Sequence, residues 1–334
     1  MKKLKTLLKS VVFSFLIYMW FLGSTLLIQI DSQHKFGYFK QWDVTMQNLT
    51  RRIDSYCKTL ERDSFRETFH SKQANGPTAE TVEKLLKAKK EKIVRDNIIY
   101  IPELQQMWCL VPKAASTSWS RKIVELVQSE KMRKDLRNQS VPLQVILRKY
   151  YGNIGTKIYK EQLDSRRTKK ILLVRHPFSR LVSAFEDKLK NRKAKNDSMY
   201  FYGNYGVKIN RSFRKNRRHN KKKEPTFEEF IEYLLNTNPM EYDEHWKPIS
   251  LLCGLCHVKY DLIIKQEYLG TSALPYIMQQ LGFETLTKLN MENQSLTKLK
   301  YKNITSYFKF ISPDKIEKLR LKYTDDFNIF GYDY

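Results

Sequence analysis

Glycine is the first shortage. Eleven glycines occur in 334 residues, and none stands where a GxxxxGKS/T loop would need it. That speaks against a nucleoside-triphosphate P-loop, and with it against a kinase or NTPase. Acid is short as well: 35 Asp and Glu face 61 Lys and Arg, for a formal net charge of +26. Such an excess selects acidic partners, whether nucleic acid, anionic lipid, an anionic polysaccharide or a cofactor bearing phosphate or sulfate. Cysteine is limited to Cys57, Cys109, Cys253 and Cys256. Cys253-Gly-Leu-Cys256 has the spacing of a redox pair or of half a zinc site. The other half is missing, and His245 and His257 match ligand spacings poorly. No metal constellation and no internal repeat is visible.

What is present belongs to a folding chain. Hydrophobic residues make up 41% and aromatics 13%, enough for one substantial domain plus accessories. Lys2, Lys3, Lys5 and Lys9 precede an uncharged run over 11–30, and Asp31 follows it. Twenty helical residues rise about 30 Å, the thickness of a bilayer core. The run exceeds an ordinary signal-peptide core, although Gly23 to Thr25 offer small residues for cleavage. An uncleaved single-pass anchor is therefore expected, with residues 1–10 cytosolic and the remainder lumenal. Six Asn-x-Ser/Thr triplets, at Asn48, Asn138, Asn196, Asn210, Asn293 and Asn303, fit that placement in an Asn-rich chain. A lumenal compartment permits disulfides, and four cysteines allow three full pairings. Structural disulfides are the first expectation, with the pairing open.

Residues 31–94 read as a stem, with a loop at 71–78 and a helical composition over 79–92. Strands are predicted at 98–101, 107–111, 170–174 and 260–264, and helices at 177–189, 227–235 and 314–323. The stretch 136–155 resists assignment. A strongly basic stretch, 188–223, interleaves with Tyr200, Phe201, Tyr202 and Tyr205. It suits a groove or lid for an anionic glycan, or equally a solvated insertion. Strands alternating with helices predict an α/β domain over 95–334 with a mainly parallel sheet.

Two segments carry the chemistry. In Cys109-Leu-Val-Pro-Lys-Ala-Ala-Ser-Thr-Ser-Trp-Ser-Arg121 a short strand ends at Pro112-Lys113 and a helix begins near Thr117. Small side chains at Ala114, Ala115 and Ser116 let a phosphate approach backbone N–H groups at a helix N-terminus. Lys113 adds a full charge, and Ser116, Thr117 and Ser118 add hydroxyls. Read alone, this could be an ordinary turn with a helix cap. In Ile171-Leu-Leu-Val-Arg-His-Pro-Phe-Ser-Arg-Leu-Val-Ser-Ala-Phe185 an apolar strand delivers Arg175 at its carboxyl end, where open α/β sheets bind ligands. Its planar fork can clamp a phosphate; the bland alternative is a surface ion pair.

The pattern Val-Pro-Lys-x-x-x-Thr-x-Trp-x-Arg at 111–121 resembles the 5′-phosphosulfate motif of the Golgi carbohydrate sulfotransferases. Arg-x-Pro-Phe-x-Arg-Leu-Val-Ser-Ala-Phe at 175–185 resembles their 3′-phosphate motif. Glu244-His-Trp246, the Cys253/Cys256 pair and Tyr260-Asp261 are similar to the branch of chondroitin and dermatan 4-O-sulfotransferases and the glucuronyl 3-O-sulfotransferase. The resemblance covers roughly 100–330. It implies a P-loop-like α/β fold and the donor PAPS (3′-phosphoadenosine 5′-phosphosulfate), with no metal. It places Pro112, Lys113, Ala114, Ala115, Ser116, Thr117 and Ser118 around the 5′-phosphosulfate, and Arg175 and Ser183 on the 3′-phosphate. Partners implied are a glycan or proteoglycan acceptor and the Golgi membrane, not nucleic acid. Ser116 stands where many members carry Cys. His176 replaces the usual Asp, removing a carboxylate that could orient Arg175.

Sulfuryl transfer also needs a base. His245 is the first choice, since histidine titrates near neutrality and Trp246 beside it could stack on a sugar; Glu244 and Glu186 are alternatives. A membrane-tethered glycan binder with decayed motifs is the rival reading, favoured by His176 alone.

Overall fold

The computed structural model describes residues 37, 39–60, 77–127, 129–137, 141–190, 198–214, 223–283 and 300–333. The apolar runs form a sheet of four short strands: β1 (Ile98–Ile101), β2 (Gln106–Cys109), β3 (Lys169–Val174) and β4 (Leu262–Lys265). They lie in the order β1-β2-β3-β4; β1 runs antiparallel to β2, while β2, β3 and β4 are parallel. Apart from Lys169 at the start of β3, every strand residue is buried. Burial on both faces explains why the runs are continuously apolar rather than alternating. The result is an α/β domain with a parallel core and one antiparallel edge strand.

Parallel pairing brings the carboxyl ends of β2, β3 and β4 to one edge, with Val174 beside Lys265 in the register. β2 is shorter than the 107–111 expected, because the Val111 amide turns back onto the Cys109 carbonyl at 3.1 Å. The chain thus leaves the sheet before Pro112, which has no N–H to continue it. β4 starts at Leu262 rather than 260. Asp261 pins its entry by donating its amide to the Lys170 carbonyl and accepting the Lys170 amide on its carboxylate.

Helix Pro177–Lys188 opens on proline, whose fixed φ suits the first turn. Helix Phe227–Leu235 opens on a reciprocal capping box between Thr226 and Glu229. The unassigned stretch contains helix Leu143–Tyr151.

The region expected as a stem contributes to the main core. Met46, Leu49 and Ile53 of the helix over 39–60 are buried in the same cluster as the strands, at the three- and four-residue spacing of one helical face. Arg52 donates to the Asn328 carbonyl at 3.0 Å, and Tyr56 hydrogen-bonds Asp325. Helix Pro77–Asn97 leads directly into β1. The anchor expected over 11–30 lies outside the described residues. Among those described, no helix is long and apolar enough to cross a membrane.

All four cysteines are paired, Cys57 with Cys256 and Cys109 with Cys253. This overturns the redox and half-zinc readings of Cys253-Gly-Leu-Cys256: each sulfur is bonded elsewhere. Gly254 between them has φ +58°, and a Cβ there would meet Val94 at 2.6 Å. The turn that sends the two sulfurs to different partners therefore requires glycine.

A second cluster gathers Phe178, Phe185, Phe227, Phe230 and Trp246. Trp246 is 0% exposed, with ring centroids 4.9 Å from Tyr205 and 5.5 Å from Phe230. It has no face to offer a sugar, so the stacking role expected for it is overturned; in an aromatic core the indole is worth more as packing.

Two stability measurements check this arrangement. Replacing both Cys57 and Cys256 by Ser is expected to lower the unfolding free energy by about 2–4 kcal/mol. An unchanged melting temperature would contradict it. Trp246→Ala is expected to cost about 3–5 kcal/mol in chemical denaturation; a near-neutral effect would mean that the ring is not core.

Candidate functional site

The exit of β2 is a tight turn over 112–115, followed by helix Ser116–Val127. Lys113 and Ala115 have φ +69° and +62°. Left-handed backbone costs a non-glycine residue about 1–2 kcal/mol, so something must hold it. Two arginines do. Arg175 donates from Nη1 to the Lys113 carbonyl at 2.8 Å, and Arg180 from Nε to the Pro112 carbonyl at 2.9 Å. The first hydrogen bond of the helix runs from the Trp119 amide to the Ala115 carbonyl. The amides of Ser116, Thr117 and Ser118 therefore precede its own ladder, where an anion is favoured.

Of the hydroxyls, Thr117 is half-buried and receives the Gln144 side-chain amide at 2.5 Å; Ser116, buried, lies 3.4 Å from the same nitrogen. Ser118 is buried too. Ala114 is buried, and its amide closes the turn onto the Val111 carbonyl. The Lys113 ammonium forms an ion pair of 2.7 Å with Asp187, which also lies 3.3 Å from Lys188. Lys113 and Asp187 are both largely shielded from solvent, so the pair is screened far less than a surface one.

Arg175 is buried at the end of β3. The next residue, His176, caps the following helix: its Nδ1 accepts the Ser179 amide at 3.4 Å, which leaves Nε2–H to donate to the Asp333 carbonyl at 2.8 Å. His176 thus takes over the capping that an Asp would perform. A carboxylate is still supplied at this edge by Glu267, which accepts the His176 amide at 3.0 Å and the Tyr332 hydroxyl at 2.9 Å. Ser183 is half-buried on helix Pro177–Lys188, one turn before Asp187 and on the same face.

His245 stands on a separate segment. Its Nδ1 is 2.6 Å from Asp243 Oδ1, which also accepts the His245 amide at 3.0 Å. With the Nδ1 proton donated to Asp243, Nε2 is left as the acceptor. Burial pushes the Asp243 carboxyl up, but the His245 bonds and charge and the Tyr205 hydroxyl outweigh it and hold the group below its ordinary value. Phe201 covers the imidazole edge-on at 5.1 Å, and the Lys188 ammonium sits 4.9 Å from the same ring. His245 and Lys113 are therefore joined through Phe201, Lys188 and Asp187 rather than by contact. The alternative bases are engaged: Glu244 with Arg148 at 2.8 Å and Glu186 with Lys190 at 2.6 Å.

Part of the basic stretch is structural. Arg214 is paired with Glu229 at 2.9 Å in a shielded position, and the Asn210 side chain donates to the Lys223 carbonyl at 2.5 Å. Residues 191–197 and 215–222 of the stretch lie outside the described residues.

Sequence reasoning missed Asp187, Gln144, Asp243 and the inward aim of Arg180. The four-residue spacing from Ser183 to Asp187 was the one available signal, since it places both on one helical face.

Residues 96–333 match the sulfotransferase family. Carbohydrate sulfotransferase 14 of Danio rerio is 29% identical over 72% of this chain and 63% of its own length. Carbohydrate sulfotransferase 11 of Mus musculus is 30% identical over 68% and 64%. Carbohydrate sulfotransferase 10 of Xenopus laevis is 26% identical over 72% and 68%. The chain spans just under two thirds of the length of the first two. No solved structure matches it. With two arginines gripping one strand-exit turn beside a shielded lysine, and with the family match running from the end of the helix before β1 to the last described residue, this chain belongs to the sulfotransferase family.

Proposed function

We propose that the protein transfers a sulfuryl group from PAPS to a hydroxyl of a glycan, a chondroitin- or dermatan-type chain containing N-acetylgalactosamine being the favoured acceptor. The observation that carries the reading is the convergence of Lys113 and Arg175 on one turn at the ends of adjacent parallel strands, within a match to the sulfotransferase family. These residues suit a donor with two anionic groups: a left-handed turn, the start of a helix and two shielded cations meet at one sheet edge.

PAPS supplies a sulfuryl group already activated by a phosphate leaving group. Lys113 is assigned to the oxygen bridging sulfur and phosphate, where negative charge grows as the S–O bond breaks. Its ammonium must leave Asp187 to do so, a movement of one flexible side chain. The turn 112–115 and the amides and hydroxyls of 116–118 are assigned to the 5′-phosphosulfate, and Arg175 with Ser183 to the 3′-phosphate. His245, oriented by Asp243, is assigned to the acceptor: Nε2 takes the hydroxyl proton as the acceptor oxygen forms its bond to sulfur. The remaining work is alignment of the oxygen opposite the leaving phosphate.

Two disulfides are at home in an oxidising compartment. With the N-terminal apolar run, they support a single-pass type II protein of the Golgi membrane with the domain in the lumen.

The test is transfer of labelled sulfate from PAPS to desulfated chondroitin, dermatan and heparan chains. Lys113→Ala is expected to lower kcat by about 10²–10³, and Arg175→Ala to weaken donor binding tenfold or more, in line with loss of a bond to a charged group. Label in one chain, absent in both variants, identifies the acceptor class. Neither transfer nor binding of adenosine 3′,5′-bisphosphate by the folded protein would overturn the reading in favour of a glycan binder.

A further inference from the structure

Arg180 is 2% exposed, yet none of its hydrogen bonds ends on a carboxylate. Nε donates to the Pro112 carbonyl at 2.9 Å, Nη1 to the Lys247 carbonyl at 2.6 Å and Nη2 to the Glu244 carbonyl at 2.6 Å. Taking such a charge out of water costs several kcal/mol. Plain packing would be served as well by an aliphatic side chain. A guanidinium is rigid and planar, however, and its N–H fork can hold several backbone points at fixed separations.

The points it holds are specific. Pro112 is the residue before Lys113, and Glu244 and Lys247 flank His245 on either side. These two segments are more than 130 residues apart in the sequence. A chain of contacts through Asp187, Lys188 and Phe201 leads from Lys113 to His245. Arg180 is bonded directly to both segments.

We propose that Arg180 is a positioning residue that sets the separation and angle between the Lys113 turn and the His245 segment, and so the in-line geometry of transfer. This rests on the roles given above to Lys113 and His245. It assigns Arg180 away from any phosphate: its fork is spent on carbonyls in the interior. Two other ties keep the segments neighbours without it. The Cys109–Cys253 disulfide joins the end of β2 to the helix after Lys247, and Arg148 pairs with Glu244. The fold therefore has support that the geometry lacks.

The experiment compares wild type, Arg180→Lys, His245→Ala and the double variant, each with steady-state kinetics and binding of adenosine 3′,5′-bisphosphate. Arg180→Lys keeps the charge and loses the fork. A misplacement of about 1 Å costs on the order of 10²-fold in rate. Accordingly kcat is expected to fall about 10²-fold, with the KM for PAPS and nucleotide binding within about threefold of wild type. In the His245→Ala background the same substitution is expected to cost only a few-fold, because the group it positions is gone.

A kcat for Arg180→Lys within threefold of wild type overturns the proposal. So does an equal loss in both backgrounds, or a fully active His245→Ala protein. If Arg180→Lys does not fold, Arg180→Gln, which drops the charge but keeps planar N–H donors, takes its place. Failure of both to fold overturns the proposal in favour of a purely structural residue. Wild type inactive with every acceptor and unable to bind the nucleotide would instead sink the sulfotransferase reading itself.

Discussion

Two consecutive carbonyls in one tight turn, those of Pro112 and Lys113, are each held by a buried guanidinium, and the rest of the site is arranged around that grip. The turn needs it. Lys113 and Ala115 lie in left-handed backbone without being glycine, a strain of about 1–2 kcal/mol each that a free loop would release. A glycine-rich loop reaches such geometry by conformational freedom. This chain reaches it by holding ordinary residues from behind, with Arg175 from the end of β3 and Arg180 from the next helix. The three parallel strand ends make the grip possible, since they bring the exits of β2 and β3 side by side.

The frame behind the turn is closed by long-range ties. The disulfides join residues 199 and 144 positions apart, so each removes a large share of the freedom of the unfolded chain. One fastens the 39–60 helix to the domain, and the other fixes the last residue of β2 against the helix that follows the His245 segment. Asp326 adds a third tie by accepting the amides of Ile249 and Ser250 at 2.7 and 2.8 Å. The Lys113 turn and the His245 segment are thus anchored to one frame. What moves in the proposed mechanism is confined to side chains, chiefly the Lys113 ammonium on its way from Asp187.

Much of this was legible in the residues. The strand at 98–101 and the helix at 227–235 were readable from apolar run and amphipathic pattern, because both signals are local. The position of Lys113 and Arg175 at one sheet edge was readable because each follows an apolar run that ends in a turn. The partners were not. Arg180 sits in a motif that suggests phosphate, and only the fold shows that its fork turns inward to carbonyls, which carry no sequence signature. Trp246 beside His245 suggested a sugar platform, yet its ring is fully buried among Phe201, Tyr205 and Phe230, which nothing in the local sequence announces. The 39–60 helix was read as part of a stem although Met46, Leu49 and Ile53 recur at helical spacing, because that spacing does not name the surface they pack against. Its attachment depends on a cysteine partner nearly 200 residues away, a pairing that spacing alone leaves open.

The most direct test of the account is hydrogen–deuterium exchange on the disulfide-intact protein with and without adenosine 3′,5′-bisphosphate. The account predicts that the nucleotide slows exchange in two stretches, 112–118 and 175–183, while the amides of 39–60 are unchanged. Protection confined to other segments, or none at saturating nucleotide, would contradict the placement of the donor at the ends of β2 and β3.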